Sequence, residues 1–303
     1  MCGILGYFSS KKSKKDIFIN ALKGIAHRGP DFMNWTNHDF LGIKGYLGHV
    51  RLAIIGLDNA SNQPFKFNEL QIVFNGEIYN YKDIKFQLET LGYTFKTNSD
   101  TEVLLKAYHA WGLDCLPRLN GMFAFAVFDQ KKKSILLCRD RFGVKPLYYK
   151  IKNGELIFSS ELKSIIQLSD LEVKQDNAAI ENFLLRGWMS GNDTGIIDAH
   201  QLEPGSSLNI NLLTFEIHQE KFWNLHNEIA NTDIENYNIN ELLDDSIRLR
   251  LTSDVPVGCF LSGGVDSSLV ASVAARYSPA RLKTFNIKFL DPRFDESESA
   301  KFV

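Results

Sequence analysis

The chain has 303 residues, with 34 Lys and Arg against 36 Asp and Glu and a formal net charge of -2 at pH 7. At ~150 residues per domain this length predicts two domains, and the balanced charge argues against a duplex nucleic-acid binder, which needs a basic excess. The longest apolar run, residues 122–128, is far shorter than the ~20 residues that cross a bilayer. No cationic segment of a signal peptide precedes the apolar start, so we expect a cytoplasmic protein without a membrane partner. The scattered cysteines are expected to be free thiols: Cys2, Cys115, Cys138 and Cys259.

The first 225 residues are dominated by short β-like runs separated by Gly, Asn and Pro. The clearest runs are residues 70–74, 122–128, 135–138, 156–158 and 207–210. Helices are predicted at residues 81–91 and 100–111, where the second has one apolar stripe and acidic residues in its first turn. Antiparallel sheets with a few helices, an α+β architecture, are therefore expected here.

A polar, Asn-rich interval at residues 226–240 is predicted to be a linker between a first domain of residues 1–225 and a second of residues 241–303. After it the pattern alternates. Helices are predicted at residues 241–251 and 266–277, and strands at residues 255–261 and 282–289. This alternation is typical of a parallel α/β unit.

Cys2 is the first candidate catalytic residue. If Met1 is removed, the thiol and the free α-amine belong to one residue. The α-amine has an ordinary pKa near ~8 and the thiol near ~8.5, so the amine can take the thiol proton during nucleophilic attack without a histidine. A cysteine at position 2 is weak evidence alone, and a structural use is the alternative.

Several other short motifs accompany Cys2 in chain order. They are Met1-Cys2-Gly3-Ile4, His27-Arg28-Gly29-Pro30-Asp31, Arg51-Leu52-Ala53-Ile54-Ile55, Asn75-Gly76-Glu77-Ile78-Tyr79-Asn80 and Ser99-Asp100-Thr101-Glu102. Together they resemble the glutaminase domain of the amino-terminal-nucleophile amidotransferases. The resemblance implies an α/β/β/α sandwich in which Cys2 attacks the side-chain amide of glutamine. It also implies that Arg51 binds the α-carboxylate and that Glu77 and Asp100 bind the α-ammonium.

The residue types fit an amino-acid pocket. A free amino acid needs an arginine for its carboxylate and carboxylates for its ammonium. The Asn75 amide and the Gly76 N–H offer two donors for the oxyanion that forms during attack. Each residue also has a structural alternative: a surface ion pair for Arg51, a hairpin turn for Asn75-Gly76, and a helix cap for Asp100.

Other segments are interpreted as structural. Residues 139–149 also resemble the family, and we expect salt bridges and a turn there, near the rear of the site. Cys115, Cys138 and Cys259 are expected to pack rather than react, since none lies in a G-x-C-x-G context. The lysine-rich residues 11–15 are expected to form a solvated loop. Gly56 stands where the family commonly has an aspartate, and we expect this to affect a turn only.

The second domain contains a candidate phosphate-binding loop, Ser262-Gly263-Gly264-Val265-Asp266-Ser267-Ser268, after an apolar run. A strand, a glycine-rich loop and a helix start direct N–H groups and the positive dipole end toward one anion. The lysine of a Walker loop is absent. The pattern resembles the pyrophosphate loop of enzymes that cleave ATP between the α and β phosphates. A helix cap by Ser262 or Asp266 is the alternative.

That resemblance implies a nucleotide site with ATP, and with Mg²⁺, as cofactors. Its residues would be Leu261, Ser262, Gly263, Gly264, Asp266, Ser267, Ser268 and Ile287. No side chain is assigned as a metal ligand.

A glutaminase followed by such a loop resembles the glutamine-hydrolysing asparagine synthetase family over all 303 residues. The resemblance implies that ammonia from glutamine amidates an adenylated aspartate, with a homodimer as a further expectation. Alternatives are an amidotransferase acting on another carboxylate, such as a sugar acid, a fragment with glutaminase activity only, and a non-catalytic binding chain. Because family members continue past Val303, we expect this chain to hydrolyse glutamine but not to make asparagine.

Overall fold

A computed structural model describes residues 1–11, 13–169, 174–231 and 237–303, without the side chain of Asn231. The chain forms two compact units, Met1–Ala230 and Asn231–Val303. Within the described ranges, no helix is long and apolar enough to cross a membrane.

The strands follow one another in chain order as β1 Gly3–Ser9, β2 Phe32–Phe40, β3 Ile43–Arg51, β4 Phe65–Phe67, β5 Leu70–Ile78, β6 Gly121–Asp129, β7 Ser134–Arg139, β8 Tyr148–Lys152, β9 Glu155–Ser159, β10 His200–Gln201, β11 Ser206–Asn211, β12 Ile217–Lys221, β13 Gly258–Phe260 and β14 Lys283–Phe285. The α-helices are α1 Lys15–Gly24, α2 Tyr81–Thr90, α3 Asp100–Trp111, α4 Leu162–Leu168, α5 Asn177–Arg186, α6 Leu225–Asn231, α7 Ile239–Arg250, α8 Val265–Tyr277 and α9 Ser297–Phe302. Short 3-10 helices occupy Ala26–Arg28, Asn59–Ser61 and Gly112–Arg118.

The first unit contains two antiparallel six-stranded sheets. One has the strand order β10-β8-β9-β1-β3-β2, and the other has the order β12-β11-β7-β6-β5-β4. A core cluster that includes Ile4 and Leu47 from the first sheet and Val73 and Phe128 from the second fills the space between them. Further clusters pack α1 and α4 on the first sheet and α2 and α3 on the second. The unit is thus the predicted α/β/β/α sandwich.

Strand β1 lies inside its sheet, with β3 on one side and β9 on the other, and Gly3 pairs with Val50. The residue before Gly3 is Cys2, so the candidate nucleophile stands at the end of a strand that is held from both sides. Strand β4 pairs only with the beginning of β5, through Phe65 with Ile72 and Phe67 with Leu70. The later part of β5 therefore has β6 on one side and no strand on the other within this sheet.

In the second unit β13 and β14 are parallel, with Cys259 beside Thr284. Helix α8 leaves the end of β13 and packs on α7 around Ile247, Val273 and Ala274. The predicted parallel α/β pattern is confirmed, although both strands are shorter than the predicted 255–261 and 282–289.

Several expectations are corrected. The segment 75–76 is part of strand β5, not a turn. Lys14 is 3% exposed and its Nζ lies 2.9 Å from a Glu155 carboxylate oxygen, so the lysine-rich segment is not a wholly solvated loop. Lys12 lies outside the described residues. The interval predicted as a linker begins with α6, and its residues 232–236 are also outside the described ranges.

Cys115 and Cys138 are buried in the core as predicted, whereas Cys259 is only partly buried. In residues 139–149, the expected turn is present at Gly143, whose φ is +64°. The charged groups there bind backbone atoms, and no salt bridge of the expected kind joins them to another residue in the described ranges. Arg139 donates to the carbonyls of Lys145 and Leu202, and Asp140 accepts the N–H groups of Phe123 and Lys145.

Candidate functional site

A cavity of about 260 Å³ opens at the end of β1. All six residues predicted for the glutaminase site line it: Cys2, Arg51, Asn75, Gly76, Glu77 and Asp100. They come from the residue before β1, from β3 and β5, and from the first turn of α3. The fold thus brings residues that are far apart in the chain into one pocket.

The Cys2 thiol faces the Leu52 backbone at one wall of this cavity. The Leu52 N–H donates to Sγ at 3.4 Å, and the thiol lies 3.5 Å from the Leu52 carbonyl oxygen. Arg28 Nε fixes the Cys2 carbonyl at 2.9 Å. Burial raises the pKa of the Cys2 thiol, so it stays protonated at neutral pH and needs a base. The terminal amine of Met1 has its pKa lowered, first by burial, which favours its unprotonated, basic form.

Asn75 is 1% exposed, and neither its Oδ1 nor its Nδ2 has a hydrogen-bond partner in the described part of the chain. An unpaired buried amide is costly, so its retention points to a ligand that pairs with it. Because Asn75 lines the same cavity as Cys2, its Nδ2 is available as a donor to an anion formed near the thiol.

The backbone of β5 supplies a second donor at its open edge. In an antiparallel strand, the N–H and C=O of one residue point to the same edge, and residues two apart share that edge. The Phe74 N–H goes to Gln63 Oε1, and the Ile78 N–H goes to Asp100 Oδ2. Gly76 lies between them, so its N–H points to the same open edge.

The hydrogen bonds of β6, the paired strand, are consistent with this direction of the Gly76 N–H. Phe123, which faces Gly76 on β6, donates its N–H to Asp140 Oδ2 and accepts the Asp140 N–H at its carbonyl. Its backbone groups therefore point away from β5, as they do in a non-hydrogen-bonded pair. A side chain on Gly76 would begin 2.2 Å from the Met122 carbonyl oxygen, so the approach of β6 requires glycine there.

Arg51 is 6% exposed, which rules out the surface ion pair considered from the sequence. Its Nη1 donates to the Asp58 carbonyl at 3.0 Å and to Asn62 Oδ1 at 2.7 Å, and its Nη2 donates to the carbonyls of Ile55 and Gly56. The guanidinium thereby organises the loop after β3 while lining the cavity. Gly56 has φ +64°, consistent with the expected turn.

Two carboxylates form the opposite part of the pocket. Asp100 is 4% exposed, and burial, with a further contribution from Glu77, raises its pKa to about 7. Burial also raises the pKa of Glu77. Because the half-buried Glu77 raises the pKa of the buried Asp100, a cation bound beside the two carboxyl groups would stabilise their ionised forms. Ser99, not Asp100, caps α3 by accepting the Thr101 N–H at 3.2 Å.

Sequence reasoning did not assign several other lining residues to the site, among them Gln63, Met122 and Lys145. Lys145 is 5% exposed, and burial lowers its pKa while Glu77 and Cys2 oppose the shift. Lys145 belongs to residues 139–149, whose pattern resembles the family but predicts only structural contacts. Gln63 reaches the cavity through its contact with Phe74 of β5, which no local sequence pattern predicts.

The candidate phosphate loop connects β13 to α8 in the second unit. Ser262 Oγ lies 3.0 Å from Ser267 Oγ and accepts the Gly264 N–H at 3.3 Å. The Ser268 hydroxyl is buried without a partner among the described residues. Gly264 is the N-cap of α8 and no side chain caps the helix, so the cap alternative for Ser262 or Asp266 is wrong.

An unpaired hydroxyl beside an uncapped helix start suits an anionic group, so the residues present fit a nucleotide phosphate. Leu261 is 7% exposed and Ile287 is 65% exposed. The Leu261 carbonyl accepts Asn286 Nδ2 at 2.9 Å, which joins the ends of the two strands.

Residues 1–223 match the model of the glutamine amidotransferase domain family. The chain belongs to this family. Residues 238–303 match the asparagine synthase family model. The order of the two matches confirms the resemblance to glutamine-hydrolysing asparagine synthetases.

Curated relatives extend over the whole chain. A sequence of Methanocaldococcus jannaschii, provisionally named asparagine synthetase 2 (glutamine-hydrolysing), is 38% identical and aligns with 100% of this chain and 62% of its own length. Asparagine synthetase 1 (glutamine-hydrolysing) of Bacillus subtilis is 36% identical over 99% of this chain and 48% of its own length. The chain thus spans about half to three fifths of these relatives.

A solved glutamine phosphoribosylpyrophosphate amidotransferase of Bacillus subtilis has a TM-score of 0.54 and 22% identity, and covers 95% of this chain and 67% of its own. At this identity the likeness concerns the fold alone, and it agrees with the predicted two-sheet sandwich.

Proposed function

We propose that the amidotransferase unit hydrolyses glutamine to glutamate and ammonia, with Cys2 as the nucleophile. The observation that carries this is the Asn75 amide, buried and without a partner in the described ranges, in the same cavity as the Cys2 thiol. The pocket contains two oxyanion donors (Asn75 Nδ2 and the Gly76 N–H), a thiol, an arginine and two carboxylates. This set suits an amino acid whose side-chain carbonyl is attacked.

In the proposed reaction, removal of Met1 makes the α-amine part of Cys2. The amine takes the thiol proton as Sγ attacks the side-chain carbonyl carbon of glutamine. Asn75 Nδ2 and the Gly76 N–H stabilise the oxyanion. The protonated amine then returns its proton to the leaving nitrogen, so ammonia departs and a thioester remains. Water, deprotonated by the amine, cleaves the thioester to glutamate and regenerates the thiol.

Substrate orientation follows from the charges of the walls. Arg51 faces the α-carboxylate, and Glu77 with Asp100 faces the α-ammonium. Arg51 Nη1 and Nη2 already donate to loop oxygens, so the carboxylate accepts from Nε or shares these N–H groups with the loop.

The second activity in our proposal is the ATP-dependent amidation of aspartate by the whole protein, since this chain spans only about half to three fifths of its relatives and is itself expected to hydrolyse glutamine alone. The loop from Ser262 to Ser268 would hold the phosphates of ATP with Mg²⁺, and Leu261 and Ile287 would contact the adenosine. Adenylation turns the aspartate carboxylate into an electrophile, and ammonia then displaces AMP. The asparagine synthase match of residues 238–303 supports this activity. Domain limits of 1–225 and 241–303, a homodimer and a cytoplasmic location remain parts of the proposal.

Glutamate release from glutamine by the purified chain, without ATP, tests the first activity, after intact mass has confirmed that Met1 is absent. Cys2→Ala should abolish release. Cys259→Ala is the matched control, because Cys259 lies in the other unit and should leave release unchanged. A folded, Met1-free chain that releases no glutamate contradicts the proposal. Product analysis with ATP and aspartate, beside other carboxylic acids, tests the acceptor in the whole protein, whereas asparagine formed by this 303-residue chain would contradict the expectation that it hydrolyses glutamine only.

A further inference from the structure

Two buried side chains bind the backbone of Phe74 at the edge of β5 that faces away from β6, where no strand of the described ranges pairs with it. Gln63 Oε1 accepts the Phe74 N–H at 2.6 Å, and His49 Nε2 bonds the Phe74 carbonyl oxygen at 3.0 Å. Gln63 is 4% exposed and His49 is fully buried. Together they supply the hydrogen bonds that a longer β4 would have made.

The His49 bond joins the two sheets of the sandwich. His49 lies on β3, between Ile4 of β1 and Asn34 of β2, whereas Phe74 lies on β5 in the other sheet. A carbonyl oxygen only accepts, so Nε2 carries the proton. Burial lowers the pKa of His49 to about 3, so the ring is neutral throughout the neutral range. The other ring nitrogen, Nδ1, has no partner in the described segments.

These bonds act on the two oxyanion donors through the chain itself. The Phe74 carbonyl and the Asn75 N–H belong to one planar peptide group, so fixing one fixes the other. The backbone of Asn75 continues from that peptide plane. The N–H of Gly76 points to the same edge of β5 as the backbone groups of Phe74. Gln63 Nε2 also donates to Thr101 Oγ1 at 3.2 Å, beside Asp100, so the same side chain links this edge to α3.

We propose that His49 and Gln63 are positioning residues, which hold Asn75 and Gly76 in the geometry that receives the oxyanion. This inference rests on the proposed glutaminase function. Their own atoms need not touch the substrate. Preorganised donors stabilise developing charge because they need no rearrangement during the reaction, so a looser β5 edge lowers turnover.

The test compares His49→Leu with His49→Gln in the Met1-free chain. Leu removes the donor, whereas the Gln amide reaches a comparable distance and restores it. We expect kcat for glutamate release to fall roughly 10–100-fold in His49→Leu, with KM within about twofold of the original, since an oxyanion donor is worth about 10²–10³-fold in kcat. His49→Gln should recover most of the loss. His49→Leu added to Asn75→Ala should cost little more than Asn75→Ala alone.

His38→Leu is the matched control. His38 is a partly buried histidine of the same sheet, but its ring lies tilted against Phe128, with the ring centroids 4.5 Å apart, and it lines a different cavity. This variant should keep kcat. Gln63→Met removes the acceptor of the Phe74 N–H and should also lower kcat, which keeps the test decisive if His49→Leu does not fold.

An unchanged kcat in a folded His49→Leu chain, or in Gln63→Met, overturns the positioning role while the glutaminase proposal stands. A rise in KM alone also overturns it. If the unaltered chain releases no glutamate, the proposed function fails, and amide hydrogen exchange decides the positioning role. Faster exchange across residues 74–78 in His49→Leu, reversed in His49→Gln, supports it, and equal exchange in all three overturns it.

Discussion

Asp100 Oδ2 accepts the backbone N–H of Ile78 at 3.1 Å, which ties the first residue of α3 to the open edge of β5. Burial, with the nearby Glu77, raises the pKa of this carboxyl group to about 7. Its ordinary value in an unfolded chain is ~3.9. The folded state therefore binds a proton that the unfolded state has already lost between these two values.

The first prediction concerns stability against pH. A raised folded-state pKa gives stability that is present below pH ~4 and is lost as the pH rises to about 7. Asp100→Asn keeps an oxygen for the Ile78 N–H but cannot ionise. We expect this variant to gain roughly 2–4 kcal/mol relative to the original chain between pH 4 and pH 8. Urea unfolding of both proteins at several pH values measures the difference, and a difference that does not change with pH contradicts the assignment.

Substrate binding should show the opposite preference. An ammonium group interacts with ionised Asp100 and favours its deprotonation. KM for glutamine should therefore rise as the pH falls below about 7. Asp100→Asn should have a high KM at every pH, with a weaker dependence on pH, in the glutamate-release assay.

The second prediction concerns Lys145, a buried cation beside Glu77. Lys145 opposes the effect of burial on the pKa of Glu77. Without it, Glu77 is ionised less at neutral pH and binds an ammonium less well. We expect Lys145→Met to raise KM for glutamine several-fold, most strongly at low pH. Lys150→Met is the control, because Lys150 is also buried but bonds Ser169 away from this cavity; an equal rise in both variants contradicts the role.

The third prediction concerns the buried ion pair on α3. Lys106 Nζ lies 2.6 Å from Glu102 Oε1, and both side chains are almost completely buried. Glu102 also accepts the N–H groups of Lys96 and Thr97, which shapes the segment before Asp100. Removing one partner leaves the other charge buried and unpaired, so Lys106→Met should lower the free energy of unfolding by about 3–5 kcal/mol.

Lys132→Met is the control for that measurement. Lys132 pairs with Asp129 at 4.0 Å, but its side chain is 72% exposed, so its removal should cost less than ~1 kcal/mol. Urea denaturation compares the two variants. Equal losses would show that burial of the pair is not what stabilises α3.

The fourth prediction concerns the phosphate loop. Gly263 has φ +86°, and a Cβ there would lie 2.5 Å from the Ser299 carbonyl carbon. Gly263→Ala should therefore displace α9 in addition to straining the backbone. Gly187→Ala isolates the strain alone, because Gly187 has φ +80° with nothing within 4 Å of its added Cβ. That strain is about 1–2 kcal/mol.

Limited trypsin digestion reads out the displacement through cleavage at Lys301 in α9. We expect faster cleavage in Gly263→Ala than in the original chain, and no change in Gly187→Ala. Equal rates in all three proteins contradict the contact between α9 and the loop.

The sequence predicted those helices and strands whose determinants lie within the element itself. The bounds 100–111 match α3 because its apolar stripe and the acidic residues of its first turn lie within that segment, although the cap is Ser99 and not Asp100. The same logic failed at 75–76, where Asn-Gly is typical of a turn. The pairing of β5 with β6 overrides that preference, and Gly76 is needed because β6 approaches closely.

The site was predictable in composition but not in geometry. Its residues could be named from motifs, and the structure places them in one cavity. His49 and Gln63 could not be named, because their roles depend on where β4 ends and on the distance between two sheets. Lys14 shows the same limit. A cluster of lysines predicts a solvent-exposed segment, yet Lys14 is buried and pairs with Glu155, from a strand far along the chain.

An unpaired strand edge is ordinarily a template on which another chain can add a strand and start aggregation. Here the side chains of Gln63, His49 and Asp100 occupy the open part of β5. The groups that shape the pocket therefore also protect the chain from its neighbours during expression and storage. Loss of solubility, and not only loss of turnover, is thus a consequence to expect when this edge is altered.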